Sequence, residues 1–293
     1  MHRSLSVLPR SFLYVPGNKP ELFPKAAAGP ADAVILDLED AVPLHRKVEA
    51  REAVRTWLTE PDGAPEGSGT VRQQQWVRVT ADDFAADLLS IASPALDGIF
   101  LAKCSADSLQ AAAAMLAELE AEGRLAPGTG LIGLIEDAAA LTDLDSLTRC
   151  QRLVTLGVGE VDLMADLRMT RCDSTEPALD SLRTRIVVAC AAAGLSAPVA
   201  PTSTDIRDLV TFETTGRKMH DLGFRSRTAV HPSQVQVIHR VFTPAPDAVA
   251  AAREVLAGFD TGDDGVTVDG SGRMVDAAVV RSARELVTRA AAF

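Results

Sequence analysis

Short apolar runs alternate with longer stretches of helical period along most of this chain. The runs predict strands at Ser11–Val15, Ala33–Leu38, Trp76–Thr80, Gly98–Ala102, Leu131–Ile135, Leu153–Val158, Ala197–Ala200 and Arg227–Val230. Between them, Ser105–Glu122, Leu179–Ala193 and Leu209–Leu222 carry the clearest helical spacing. Gly194 and Gly223 fall where helices would stop just before the next strand. Ala33–Val34–Ile35–Leu36 is apolar at every position, which suits a parallel strand covered on both faces. Eight strand–helix units are the count of a TIM (β/α)8 barrel. An open doubly wound sheet is the alternative, but no GxGxxG motif follows the first strand.

Two regions break the alternation. Pro61–Thr70 reads as a surface loop before the third strand. Residues 244–293 read as an extension beyond a barrel of residues 1–243: a helix at Asp247–Phe259, a turn-rich segment, then a final helix from about Met274. The acidic turn Asp260–Gly265 invites a calcium-loop reading, which fails because Ser271 stands where a bidentate Glu is needed.

The balance of 29 basic against 40 acidic residues gives a net charge of −11 and argues against nucleic acid or an anionic membrane as partner. No apolar run approaches a membrane span and none near the start reads as a secretory signal, so a cytoplasmic protein is expected. Cys104, Cys150, Cys172 and Cys190 are widely spaced without a CxxC pair, favouring reduced thiols over disulfides or zinc.

Candidate chemistry gathers at the predicted strand ends, which in a barrel of this type face one mouth. They carry Tyr14 to Asn18, then Asp37, Glu39 and Asp40, Arg78, Lys103, Glu136, Glu160 and Asp162, Thr202 and Asp205, and His231. Acids at the end of a buried strand need a metal, a cation or water, because an unpaired buried charge is costly. Glu136 and Asp162 follow consecutive strands and suit a hard divalent cation such as Mg²⁺, although each could pair with Arg78 or Lys103 instead. Arg78, flanked by Val77 and Val79, is expected to point inward, to hold a carboxylate or to pair with Asp37 or Glu39. Lys103 admits a Schiff-base aldolase or simple neutralisation of the acids. His231 is a base or a loop residue, and Gly157–Val158–Gly159 a turn. Arg3, Arg10, Lys19 and Lys25 form a local basic patch that could receive the phosphates of a large anionic substrate.

The segments FLYVPGNKPELFPKA (12–26), ADAVILDLEDAVPLHRKVEAR (31–51), VRVT (77–80), LIED (134–137), GEVDLMADL (159–167) and AVHPSQV (229–235) together resemble the citrate lyase β-subunit-like branch of the HpcH/HpaI aldolases. That branch includes malyl-CoA, β-methylmalyl-CoA and citramalyl-CoA lyases. The resemblance implies a TIM barrel, a Mg²⁺ ion, and carbon–carbon cleavage or formation between an acyl-CoA thioester and a 2-oxo acid. It implies Glu136 and Asp162 as metal ligands, Arg78 as the grip on the oxo-acid carboxylate, and Asp37 and Glu39 as acids behind them. The first-strand turn Pro16–Gly17–Asn18, with Arg10 and Lys19, is expected to contact substrate. Residues 271–286 resemble the lid of CoA-using members, in which Asp276 would serve a neighbouring subunit's mouth in a homotrimer or hexamer. A citrate lyase β-subunit acting on an acyl carrier protein, and a malyl-CoA thioesterase, are the alternatives. The chain departs from the family pattern at Thr80, often Asn, at Arg168, often Gly, and in Ala197–Asp205.

Overall fold

The computed structural model describes residues 7–59, 72–260, 267–268 and 274–293. Arg3, the loop expected at Pro61–Thr70 and the acidic turn beyond Asp260 lie outside the described residues. The chain divides into two compact units at Val241/Phe242.

In the first unit eight parallel strands close into a barrel in sequence order, as the alternating pattern predicts. They are β1 (Ser11–Pro16), β2 (Ala33–Asp37), β3 (Gln74–Val79), β4 (Gly98–Leu101), β5 (Gly130–Ile135), β6 (Leu153–Val158), β7 (Val199–Ala200) and β8 (Ser226–Ala229). The expected seventh strand is cut to two residues, because Pro198 has no N–H to give to a ladder. The third starts earlier than its apolar run: the Gln75 N–H is satisfied by Asp97 Oδ2 at 2.7 Å, so a polar residue is tolerated in the strand.

Alternate residues of each strand face the barrel axis, and they change character from one end to the other. Phe12, Trp76 and Phe100 meet edge to face with centroids 5.3 to 5.7 Å apart. Each such buried ring contributes about 1.5–3 kcal/mol. Gly98 leaves the space for Trp76, since a Cβ there would stand 2.3 Å from its ring. Tyr14, Ile35 and Leu134 belong to the same apolar cluster one inward step further along. The next step brings Pro16, Asp37, Arg78 and Glu136, with Pro16 opposite Asp37 and Asp37 opposite Arg78 in the sheet register. The apolar end is a plug and the carboxyl end is a polar mouth.

The helices between strands start and stop on local signals. Ser105 caps the helix Ala106–Ala121 reciprocally with Ser108, and Asp208 caps Leu209–Leu222, which ends at Gly223 with φ 112°. In the second unit the helices Pro246–Asp260 and Ala277–Ala292 pack together, and Thr267–Val268 pairs antiparallel with Met274–Val275. The last helix therefore begins after the expected Met274, with Asp276 as its cap. No described helix is long and apolar enough to cross a membrane.

Candidate active site

The polar mouth is a cavity of about 410 Å³, bordered by Tyr14, Asp37, Arg78, Glu136 and Asp162 among others. Buried Val77 and Val79 face the helices, so Arg78 points to the axis as expected. Asp37 grips it side-on: Oδ1 accepts from Nε at 2.7 Å and Oδ2 from Nη2 at 2.6 Å. The same two oxygens accept the backbone N–H groups of Glu39 and Ala41, so Asp37 itself is fixed by its own loop. Arg78 Nη1 lies 3.0 Å from Glu39 Oε2, and the guanidinium carbon sits 4.9 Å from the centre of the Tyr14 ring. Asp37 takes two of the five donors of the guanidinium and Nη1 also lies 3.6 Å from Asp40 Oδ2, while the residue borders the cavity and can offer its other N–H groups to a substrate carboxylate.

Lys103 follows β4 with a left-handed φ of 44° and turns its N–H to Glu136 Oε2 at 2.6 Å. Its Nζ reaches Glu39 Oε1 at 2.7 Å, and this bond raises its pKa above that of an ordinary lysine. A Schiff-base amine needs the opposite shift, so the lysine neutralises the acid cluster. Burial raises the Glu39 carboxyl, but Arg78 and Lys103 pull it below the usual range.

Glu136 is buried, and its pKa is pushed up to about 7. Burial is the main cause, and the charges of Glu39 and Asp162 add to it against Arg78 and the Lys103 N–H. Gly159 packs flat against it, since a Cβ there would stand 2.3 Å from Glu136 Cγ. Asp162 lies in the first turn of the helix Glu160–Asp166 and borders the same cavity. Two carboxylates facing one water-accessible space, with the Asp162 charge raising the cost of ionising Glu136, fit a hard divalent cation that keeps most of its waters. No group of three or more His, Cys, Asp or Glu side chains with metal-binding geometry occurs among the described residues, so the donor set stops at this pair.

Residues 10–232 match the family model described as HpcH/HpaI aldolase/citrate lyase. The chain belongs to the HpcH/HpaI aldolase/citrate lyase family. It is 32% identical to an L-malyl-CoA/beta-methylmalyl-CoA lyase of Cereibacter sphaeroides, over 96% of this chain and 94% of the relative. It is 29% identical to a (3S)-malyl-CoA thioesterase of the same organism, over 97% and 95%. The crystal structure of protein CitE from Mycobacterium tuberculosis in complex with magnesium, acetoacetate and coenzyme A superposes with a TM-score of 0.73 at 28% identity, covering 96% of this chain and 98% of that one.

Within this HpcH/HpaI barrel the other expected residues divide. Pro16 borders the cavity. Gly17 is held behind it by an N–H bond to the Asp37 carbonyl, Asn18 is buried, and Lys19 is exposed after the carboxyl end of β1. Arg10 is a correction. It precedes β1, at the opposite end of the barrel, where Nε and Nη2 bind Asp32 at 2.8 and 2.7 Å, so it cannot reach a substrate in the mouth. Glu160 borders the cavity but its carboxylate is occupied by buried Arg183 at 2.7 and 2.8 Å and by Arg171. Asp205 accepts N–H bonds within its own turn, and His231 Nδ1 bonds Ser233 Oγ at 2.8 Å. Asp276 lies in the second unit, where Oδ1 accepts the N–H groups of Ala278 and Val279.

The departures from the HpcH/HpaI pattern acquire reasons. Thr80 donates from N and Oγ1 to buried Asp87, away from the substrate space. Arg168 adopts φ 55°, in the left-handed region that glycine occupies at no cost. Arg171 also borders the cavity and was not visible in the strand-end pattern, because it comes from the loop beyond the helix Glu160–Asp166.

Proposed function

We propose that this chain is a Mg²⁺-dependent carbon–carbon lyase that cleaves or forms a 3-hydroxyacyl-CoA of the malyl or citramalyl type from an acyl-CoA and a 2-oxo acid. The observation that carries the reading is the meeting of Glu136, Asp162 and the acid-clamped Arg78 in one cavity. Glu136 and Asp162 would hold the ion, which when bound supplies a Lewis acid that polarises the oxo-acid carbonyl. Arg78 receives the oxo-acid carboxylate on N–H groups that Asp37 leaves open, and Asp37 and Glu39 keep the guanidinium in place. Lys19, exposed beside the mouth, offers its charge to the phosphates of the CoA moiety.

In condensation a base must take the proton from the thioester α-carbon, and the resulting enolate attacks the oxo-acid carbonyl carbon; cleavage returns the proton. Asp276 is the residue we assign to this step, delivered by the lid of a neighbouring subunit in a homotrimer or hexamer. The N–H groups of Val279 and Ala278 hold its carboxyl below the usual range, so it stands ionised as a base must. Both bonds fall on Oδ1, which leaves Oδ2 for the proton. The 29% identity to a malyl-CoA thioesterase supports a second reading, in which the same polarised site hydrolyses the thioester.

Incubation of the purified protein with malyl-CoA and citramalyl-CoA, with Mg²⁺ or EDTA, tests both. Mg²⁺-dependent release of acyl-CoA with an oxo acid is expected. Free CoA with intact hydroxy acid would replace the lyase reading with the hydrolytic one, and turnover that survives EDTA would remove both. Asp276→Asn should abolish turnover while Mg²⁺ affinity stays within about twofold, and light scattering measures the assembly.

A further inference from the structure

Tyr14 is the single tyrosine of the chain. It faces the barrel axis one step beneath the Asp37–Arg78 layer, its ring under the guanidinium. Its hydroxyl has no protein acceptor among the described residues, although the residue borders the mouth cavity. Burial, reinforced by the charges of Asp37, Glu136 and Glu39 against the pull of Arg78, raises its pKa well above that of free tyrosine, so it remains a donor. Thr202, following β7, borders the same cavity, and its Oγ1 is buried with no hydrogen-bond partner. One strand, β8, separates β7 from β1 and one, β6, separates it from β5, so Thr202 stands between Tyr14 and Glu136 around the mouth. An unpaired polar group at a buried position costs stability, so an oxygen-bearing occupant of the cavity is the natural partner of Thr202 Oγ1, and the half-buried Tyr14 lines the same space with its donor uncommitted.

We propose that the Tyr14 and Thr202 hydroxyls bind the 2-oxo acid, Tyr14 donating to the carboxylate that Arg78 grips and Thr202 to a further oxygen of the same molecule. The inference rests on the lyase reading for the identity of the occupant. Arg78 alone fixes a carboxylate only in the plane of its guanidinium; a donor from beneath that plane fixes the tilt as well. A phenylalanine at position 14 would keep the packing under the guanidinium and lose this second point of attachment.

The experiment is oxo-acid binding by calorimetry at saturating Mg²⁺, with glyoxylate, pyruvate and oxaloacetate as probes, for wild type, Tyr14→Phe and Thr202→Val. Tyr14→Phe should weaken oxo-acid binding about tenfold or more, the loss expected for one hydrogen bond to a charged group. Thr202→Val should weaken it less, and the KM for the acyl-CoA in condensation should stay within about twofold in both. In parallel, wild-type protein labelled with 13Cζ-tyrosine gives one resonance, which should move on adding pyruvate and Mg²⁺ and not on adding Mg²⁺ alone. A static resonance beside a clear heat of oxo-acid binding would overturn the Tyr14 assignment and leave the lyase reading standing. Wild type that binds no oxo acid and turns over no thioester would overturn the function proposal and this one with it.

Discussion

Gly159→Ala separates a metal-holding role for Glu136 from a merely structural one. Gly159 has φ −90° and ψ 72°, so an alanine meets no left-handed backbone there. Its Cβ would stand 2.3 Å from Glu136 Cγ and 2.5 Å from Oε1, whereas ordinary contact begins at 3.4 Å, so the carboxylate must retreat by about 1 Å. Glu136 cannot slide freely, because Lys103 N–H holds Oε2 at 2.6 Å and the residue is 3% exposed. Metal–oxygen distances tolerate about 0.2 Å, and losing even an outer partner of a ligand lowers metal affinity about 10–100-fold. Displacing one of two protein ligands should therefore weaken Mg²⁺ binding by about 100-fold or more. Calorimetric titration with Mg²⁺ measures this directly, and Gly98→Ala is the control. There the added Cβ meets the Trp76 ring at 2.3 Å, deep in the plug. It should cost about 1–3 kcal/mol of stability by overpacking while leaving Mg²⁺ affinity unchanged. A Gly159→Ala protein that folds and binds Mg²⁺ like wild type would refute the assignment of Glu136 as a ligand.

Further outcomes follow from the same geometry. Arg10→Ala should lower stability by about 2–3 kcal/mol, less than the 3–5 of a fully buried pair, and leave the thioester KM unchanged. Lys19→Ala should do the reverse, and denaturant titrations beside steady-state kinetics distinguish them. Burial raises the Asp32 carboxyl, but hydrogen bonds from Arg10 and His239 hold it well below the usual range. Its folded pKa is thus lower than its unfolded one, so its contribution is complete above about pH 4 and fades as pH falls further. Asp32→Asn should flatten that acid limb in unfolding free energies measured from pH 6 to 2; an unchanged limb would refute the pairing. Arg168→Gly should stabilise the chain by about 0.5–1 kcal/mol, because a left-handed non-glycine costs about 1–2 kcal/mol and glycine recovers part of it. Thermal unfolding reads the gain, and a lower midpoint would show that the Arg168 side chain contributes contacts of its own.

The barrel was legible because its strands are buried on both faces and so read as continuous apolar runs, β2 and β5 most clearly. Two strand ends were not. β3 begins on Gln74 and Gln75, whose polar groups are satisfied by Asp97 and by neighbouring side chains, a tertiary effect invisible to periodicity. β7 shrinks because Pro198 withholds a donor, a signal that was present in the sequence and outweighed by its apolar neighbours. The basic cluster around β1 misled for a different reason: charge was summed along the sequence, while a strand carries its two ends to opposite faces of the barrel. Arg10 and Lys19 are nine positions apart and serve different ends.

Two arginines show why strand-end position predicts chemistry better than charge pairing does. Arg78 and Arg183 are both buried against carboxylates, Arg78 against Asp37 and Glu39, Arg183 against Glu160, Glu176 and Asp180. By pairing alone they are equivalent. Arg183, however, projects from the helix Glu176–Ala192, is 2% exposed and directs Nε, Nη1 and Nη2 onto acids on every accessible side. Arg78 sits near the carboxyl end of β3 with one edge of its guanidinium turned to the cavity. The same ion-pair chemistry is thus closed in one case and open in the other, and the difference is set by which element supplies the side chain. Arg183→Leu should accordingly impair folding, whereas Arg78→Lys should keep the fold and raise the oxo-acid KM, since an ammonium cannot offer two parallel N–H groups to a carboxylate. A normal oxo-acid KM in Arg78→Lys would show that the open edge of that guanidinium is not where the substrate carboxylate binds.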